Sequence, residues 1–61
     1  MLYIFRVYIN NKPKNQWQLC CDNDDKAITL GQGMMYGFFT MFKHPKIEIS
    51  QGDRGIIHTL T

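Results

Sequence analysis

The stretch from Asp24 to Lys43, DDKAITLGQGMMYGFFTMFK, constrains the fold of this chain more than any other part of the sequence. On a helical wheel of about 100° per residue, its apolar residues fall within one half-turn and its polar residues within the other. The apolar half consists of Ala27, Ile28, Leu30, Met34, Met35, Phe38, Phe39, Met41 and Phe42. No alternation of period two sorts these residues so well, so the stretch predicts one amphipathic helix.

The residues at the two ends of this stretch favour the same prediction. Asp22 or Asn23 can cap the first free N–H groups, and the two aspartates that follow suit the positive end of the helix dipole. Lys43 suits the negative end, and Pro45 cannot continue a helix. We therefore expect the helix to begin near Asp24 and to end near Lys43.

Three glycines within the stretch weaken this prediction, because each costs about 1 kcal/mol relative to alanine inside a helix. Gly31 lies in the middle of the apolar half and is expected to let the backbone of a sheet approach closely. Gly33 and Gly37 lie four residues apart on one flank, where another helix or chain can pack. The alternative is a loop at Gly31-Gln32-Gly33 and a helix that starts near Met34.

Four strands flank the predicted helix. They are recognised by β-branched and aromatic residues, by alternating apolar and polar residues and by turn-forming residues between them. The predicted strands are Leu2–Ile9, Gln16–Asp22, Lys46–Ser50 and Ile56–Thr61. The predicted turns are Asn10–Asn15 and Gln51–Gly55.

The order of elements predicts a single small α+β domain, residues 1–61, of ββαββ type. We expect one helix on one face of a mainly antiparallel sheet with strand order 2-1-3-4, because this order places the most apolar strand in the middle. A register with Phe5 opposite Leu19, and Val7 opposite Trp17, gathers the apolar side chains of the first two strands beneath the helix.

The first strand is apolar on both faces, whereas a single helix can cover only one. The uncovered face is therefore predicted to be a protein interface, for a partner protein or for a second copy in a homodimer. The exposed edge of the second or fourth strand is a further place where a partner strand can pair. The predicted interface residues are Leu2, Ile4, Arg6, Tyr8, Gly33 and Gly37.

A small domain that binds RNA or single-stranded DNA is the alternative function. Arg6, Tyr8, Lys12 and Lys14 combine an aromatic ring with basic groups near a sheet surface, as in sheets that stack bases. The net charge of +2 is too small to indicate nucleic-acid binding by itself.

The sequence predicts no enzyme, no catalytic residue, no cofactor and no metal site. Cys20 and Cys21 are neighbours, whereas the cysteines of zinc sites are usually separated by two to four residues. On a strand their side chains point to opposite faces, so reduced, half-buried thiols are expected. His44 and His58 do not form a recognisable catalytic pattern with them.

Cellular setting is predicted only in outline. No apolar run approaches the roughly 20 residues of a membrane span, and the N-terminus lacks the features of a signal peptide. The expected compartment is the cytoplasm, or the host cytoplasm if the chain is viral. Its size and element order are typical of inhibitors or regulators of host proteins that phages and mobile elements encode, which is an analogy and not a family resemblance.

Overall fold

The computed structural model describes all residues, 1–61, and its elements follow the predicted ββαββ order. The elements are β1 (Leu2–Ile9), β2 (Lys12–Cys20), α1 (Asp24–Met41), β3 (Pro45–Gln51) and β4 (Gly55–Leu60), with a 3₁₀ turn at Gly52–Arg54. The sheet order is β2-β1-β3-β4, and every neighbouring pair is antiparallel. The predicted α+β fold and strand order are confirmed. The helix is not both long and apolar enough to cross a membrane.

The core lies between the sheet and α1. Alternate residues of β1, namely Tyr3, Phe5 and Val7, are at most 1% exposed. The other buried hydrophobic residues are Ala27 of the helix and Ile47 and Ile49 of β3. Removing these side chains from water is the main favourable contribution to folding. It explains why β1, the most apolar strand, pairs with a neighbour on each side.

The hairpin between β1 and β2 is tighter than the sequence predicted. Its turn contains only Asn10 and Asn11, with φ angles of 55° and 66°, so that β2 begins at Lys12. Asparagine tolerates this left-handed backbone, which two-residue hairpin turns require. Pro13 lies within β2, where its missing N–H is tolerated because β2 is an edge strand. The predicted turn at Asn10–Asn15 and strand start at Gln16 are therefore wrong.

The register of this hairpin differs from the predicted one by two residues. Tyr3 pairs with Leu19 and Phe5 with Trp17, whereas Val7 pairs with Asn15. Because the turn has only two residues, β2 begins earlier in the chain. Each residue of β1 therefore pairs with the β2 residue two positions closer to the turn than predicted. Because side chains alternate with a period of two, a shift of two residues leaves the same side chains beneath the helix.

Helix α1 is continuous through its glycines, so the alternative with a loop at Gly31–Gly33 is wrong. Asn23 is its N-cap, and its side chain accepts a hydrogen bond from the Lys26 backbone N–H at 2.9 Å. The helix ends at Met41, before the predicted Lys43, because Phe42 has extended backbone angles. The Phe42 ring lies 6.0 Å, centroid to centroid, from that of Phe38.

Gly31 allows the close packing that the sequence predicted, although against side chains and not against backbone. A Cβ atom at this position would lie 2.8 Å from Ile49 Cδ1 and 3.0 Å from Leu60 Cδ1. A Cβ at Gly33 or Gly37 would meet no atom within 4 Å. The packing of this chain thus accounts for the first glycine and not for the other two.

Alanine substitutions at the three helical glycines should separate these roles. We expect Gly33→Ala and Gly37→Ala each to raise the free energy of unfolding by about 1 kcal/mol, because alanine favours the helix. Gly31→Ala should be less stable than either by about 1–3 kcal/mol, because its methyl group overpacks the core. Urea denaturation measures all three, and equal gains at the three positions would contradict this account.

Candidate interaction surface

The face of the sheet opposite the helix, here called the open face, is not covered by any other element of the chain. Leu2, Ile4, Arg6 and Tyr8 of β1 lie on it, since their side chains alternate with the buried Tyr3, Phe5 and Val7. The register adds Gln16, Gln18 and Cys20 from β2, Lys46, Glu48 and Ser50 from β3, and Ile56 and Thr59 from β4. The structure thus brings together the four predicted interface residues of the first strand.

A row of polar side chains crosses the middle of the open face. Arg6 pairs with Gln16 on one side and with Glu48 on the other, and its Nε donates a hydrogen bond to Gln16 Oε1 at 3.3 Å. Thr59 extends the row onto β4, where it pairs with Glu48. The open face is therefore less continuously apolar than the sequence of β1 alone suggested.

On one side of this row lies a group of apolar side chains, Leu2, Ile4 and Ile56, which we call the apolar corner. Leu2 is 50% exposed and Ile56 55% exposed, while Ile4 is half-buried. Ser50 lies between Ile4 and Ile56 in the register and is only 7% exposed. Large apolar side chains with this exposure, beside a polar row, resemble the apolar centre and polar rim of protein interfaces.

On the other side of the row, Tyr8 and Lys46 pair across β1 and β3. Lys46 Nζ lies 4.8 Å from the centroid of the Tyr8 ring and 3.9 Å from Glu48 Oε2. The nearby Glu48 carboxylate, together with burial, raises the pKa of the Tyr8 phenol. A cation therefore already occupies one side of this ring, which leaves less of it free for stacking.

The remaining predicted site residues lie elsewhere. Lys12 pairs with Ile9, which packs against the core, and Lys14 Nζ lies 5.4 Å from the Phe42 ring centroid, at the end of the helix. Gly33 and Gly37 are exposed on the helix, on the other side of the sheet. The structure does not bring these lysines or glycines together with the residues of the open face.

A charged cluster around Asp24, at the start of the helix, was not predicted from the sequence. Asp24 Oδ1 accepts hydrogen bonds from the Tyr3 hydroxyl at 2.7 Å and from Arg54 Nη2 at 2.6 Å. Its Oδ2 accepts a third from Arg54 Nη1 at 2.9 Å, and Arg54 Nε donates to Gln51. The partners are 21 and 30 residues from Asp24, so no local pattern in the sequence could have indicated them.

This cluster joins the first strand, the start of the helix and the turn before β4. The Arg54 hydrogen bonds, with that from Tyr3, lower the pKa of Asp24 from 3.8 to about 2. Burial of the Tyr3 phenol, and the Asp24 carboxylate beside it, raise the pKa of that phenol. Because Asp24 and Arg54 satisfy each other, their arrangement indicates a structural role.

The cysteines and histidines are dispersed. Cys20 and Cys21 are free thiols; Cys20 is exposed on the open face, whereas Cys21 is half-buried and packs against the core. No three side chains among His, Cys, Asp and Glu come together as a metal-binding group.

Comparisons with known proteins do not assign the chain to a family. No protein-family model, no curated protein and no solved structure matches it. The open face is therefore the observation from which we infer a function.

The Asp24 cluster predicts how stability depends on pH. The pKa of Asp24 is lower in the folded chain than its ordinary value of 3.8, so its stabilising effect is complete above about pH 4 and is lost as the pH falls towards about 2. Asp24→Asn should be less stable than the wild type at neutral pH, and this difference should narrow between about pH 4 and pH 2.

Thermal unfolding followed by circular dichroism at a series of pH values measures this difference. Asp25→Asn is the matched control, because Asp25 is the next residue, is exposed and belongs to none of the ion pairs. A gap between wild type and Asp24→Asn that stays constant down to pH 2 would contradict the assignment.

Proposed function

We propose that this chain is a small, non-enzymatic protein-interaction module that binds a protein partner, or a second copy of itself, through the open face. Support comes from one observation: the only helix packs on the opposite face, and the apolar corner is left in contact with water. Burying large apolar side chains of this kind is the main source of affinity in protein association.

The arrangement of charges fits the same function. Arg6 and Glu48 stand beside the apolar corner and are held by neighbouring strands, so little side-chain entropy is lost when a partner pairs with them. Arginine is one of the residue types that dominate binding energy at interfaces. A partner with an apolar centre and an acidic or amide group opposite Arg6 would complement this surface.

The small number of buried residues in this chain also favours a partner-bound state. Only 9 of the 61 residues are buried, and domains of this size hide only about 60% of the surface of the unfolded chain. A partner that binds the folded chain alone would stabilise it by mass action. Inhibition or regulation of a host protein, by a chain of phage or mobile-element origin, is the setting that size and element order favour by analogy.

Binding of RNA or single-stranded DNA is the second candidate. Arg6, Tyr8 and Lys46 share the open face and offer two cations and one ring. The separation of Lys12 and Lys14 from them makes this function less well supported than protein binding. Titration with single-stranded RNA tests it, since binding that is absent even at low salt would exclude a phosphate-dominated interaction.

A pair of leucines provides a matched test of the main proposal. Leu2 is 50% exposed on the open face, and Leu30 is 42% exposed on the helix. If the open face binds a partner, Leu2→Glu should weaken association about tenfold or more, because it places a charge in the apolar corner, while Leu30→Glu should change it little.

Sedimentation between about 1 and 100 µM measures self-association, a range chosen because weak dimers have micromolar dissociation constants. Cross-linking in a host lysate, compared between wild type and the two variants, measures binding to other proteins. Circular dichroism confirms that both variants are folded. If Leu2→Glu reduces neither self-association nor cross-linking to another protein more than Leu30→Glu does, the open face is not the interface.

A further inference from the structure

The two edges of the sheet differ in how well they are protected against pairing with another strand. The β2 edge contains Lys12, Pro13 and Lys14, and charged residues and proline are the features by which proteins block strand addition. The β4 edge, GIIHTL, contains no proline, lysine, arginine, aspartate or glutamate. The unpaired backbone groups of β4 are therefore the more accessible.

Beside this edge lies an apolar groove between α1 and the end of β4. Met35, Tyr36, Phe39 and Leu60 line it, and its volume is about 390 Å³. Tyr36 is 81% exposed and Phe39 73% exposed, although Phe39 belongs to the apolar half of the helix. The helix thus presents two largely uncovered aromatic side chains beside the end of β4.

We propose that this groove, with the β4 edge, binds an extended protein segment that pairs with His58–Leu60 as a fifth strand. An apolar side chain of the segment then lies between Phe39 and Leu60. The proposal rests on the proposed function in that it treats the chain as a protein-interaction module. It concerns a different surface, on the helix side of the sheet, so either proposal can fail without the other.

The edge itself selects an extended occupant. A strand forms hydrogen bonds with the outward N–H and C=O groups of β4, whereas a helix or a small molecule would leave most of them unpaired. The register irregularity of β4 lies before His58, so the regular part of the edge is the part beside the groove. Side chains two residues apart on the segment lie on one face, and one of them can enter the groove.

The charges at one end of the groove specify the segment further. Beyond Phe39 and Thr61 the surface continues into a second hollow lined by Asn11 and His44. Lys43 precedes His44 in the chain, is exposed and forms no ion pair. An extended segment with alternating apolar residues and an acidic group at this end would therefore be complementary.

Synthetic peptides test this inference directly. The probes are two decapeptides in which valine alternates with threonine, with two glutamates at the N-terminal end in one and at the C-terminal end in the other. The two placements correspond to antiparallel and parallel pairing with β4. We expect one of them to shift the backbone amide resonances of His58–Leu60 and of helix residues 35–39 in heteronuclear NMR spectra.

Two helix variants with nearly equal exposure supply the control. Phe39 is 73% exposed and lines the groove, whereas Met41 is 72% exposed and does not. Phe39→Glu should weaken binding of the peptide about tenfold, and Met41→Glu should change it less than about twofold. Leu2→Glu, on the open face, should leave peptide binding unchanged.

Peptide variants complete the test. Replacing the glutamates by lysines, or methylating alternate backbone nitrogens, should each reduce binding, because the first opposes the basic end and the second removes the ladder hydrogen bonds. Absence of any peptide-dependent shift at β4 would overturn the proposal. So would shifts at β4 that depend on protein concentration alone, because the occupant of the edge would then be a second copy.

Discussion

Burial of Tyr3, Phe5 and Val7 beneath a single helix is the interaction on which the rest of this structure depends. It places β1 in the middle of the sheet, and it brings the helix close enough that a Cβ atom at position 31 would crowd Ile49 and Leu60. It also determines what stays exposed, because the other side chains of β1 must then point away from the only helix. The core and the open face are two consequences of one alternating strand.

Much of this fold could be predicted because its strongest signals are local. The wheel of α1 and the β-branched and aromatic residues of β1 established these two elements, and the preference for a central apolar strand established the order β2-β1-β3-β4. The hairpin was predicted less accurately, because Asn10 and Asn11 adopt a left-handed turn that the composition of Asn10–Asn15 did not distinguish from a longer loop. This error did not change which side chains lie on each face of the sheet, because the register shifted by an even number of residues.

The surfaces were less predictable than the core. The Asp24 cluster joins residues far apart in sequence, and the polar row on the open face appears only once three further strands are placed beside Arg6. The sequence of β1 alone therefore predicts an open face that is more apolar than the one in the structure. The residues that were expected to bind nucleic acid illustrate the same limit, because Lys14 is directed by the hairpin towards Phe42.

The unequal protection of the two edges restricts how copies of this chain could polymerise. Endless fibrils assembled head to tail require β4 of one molecule to pair with β2 of the next, and the lysines and proline of β2 oppose that step. Pairing of β4 with β4 uses the same edge twice and is closed after two molecules. Edge-to-edge growth of this sheet would accordingly stop at the dimer, although the β4 edge carries no charge or proline that blocks pairing.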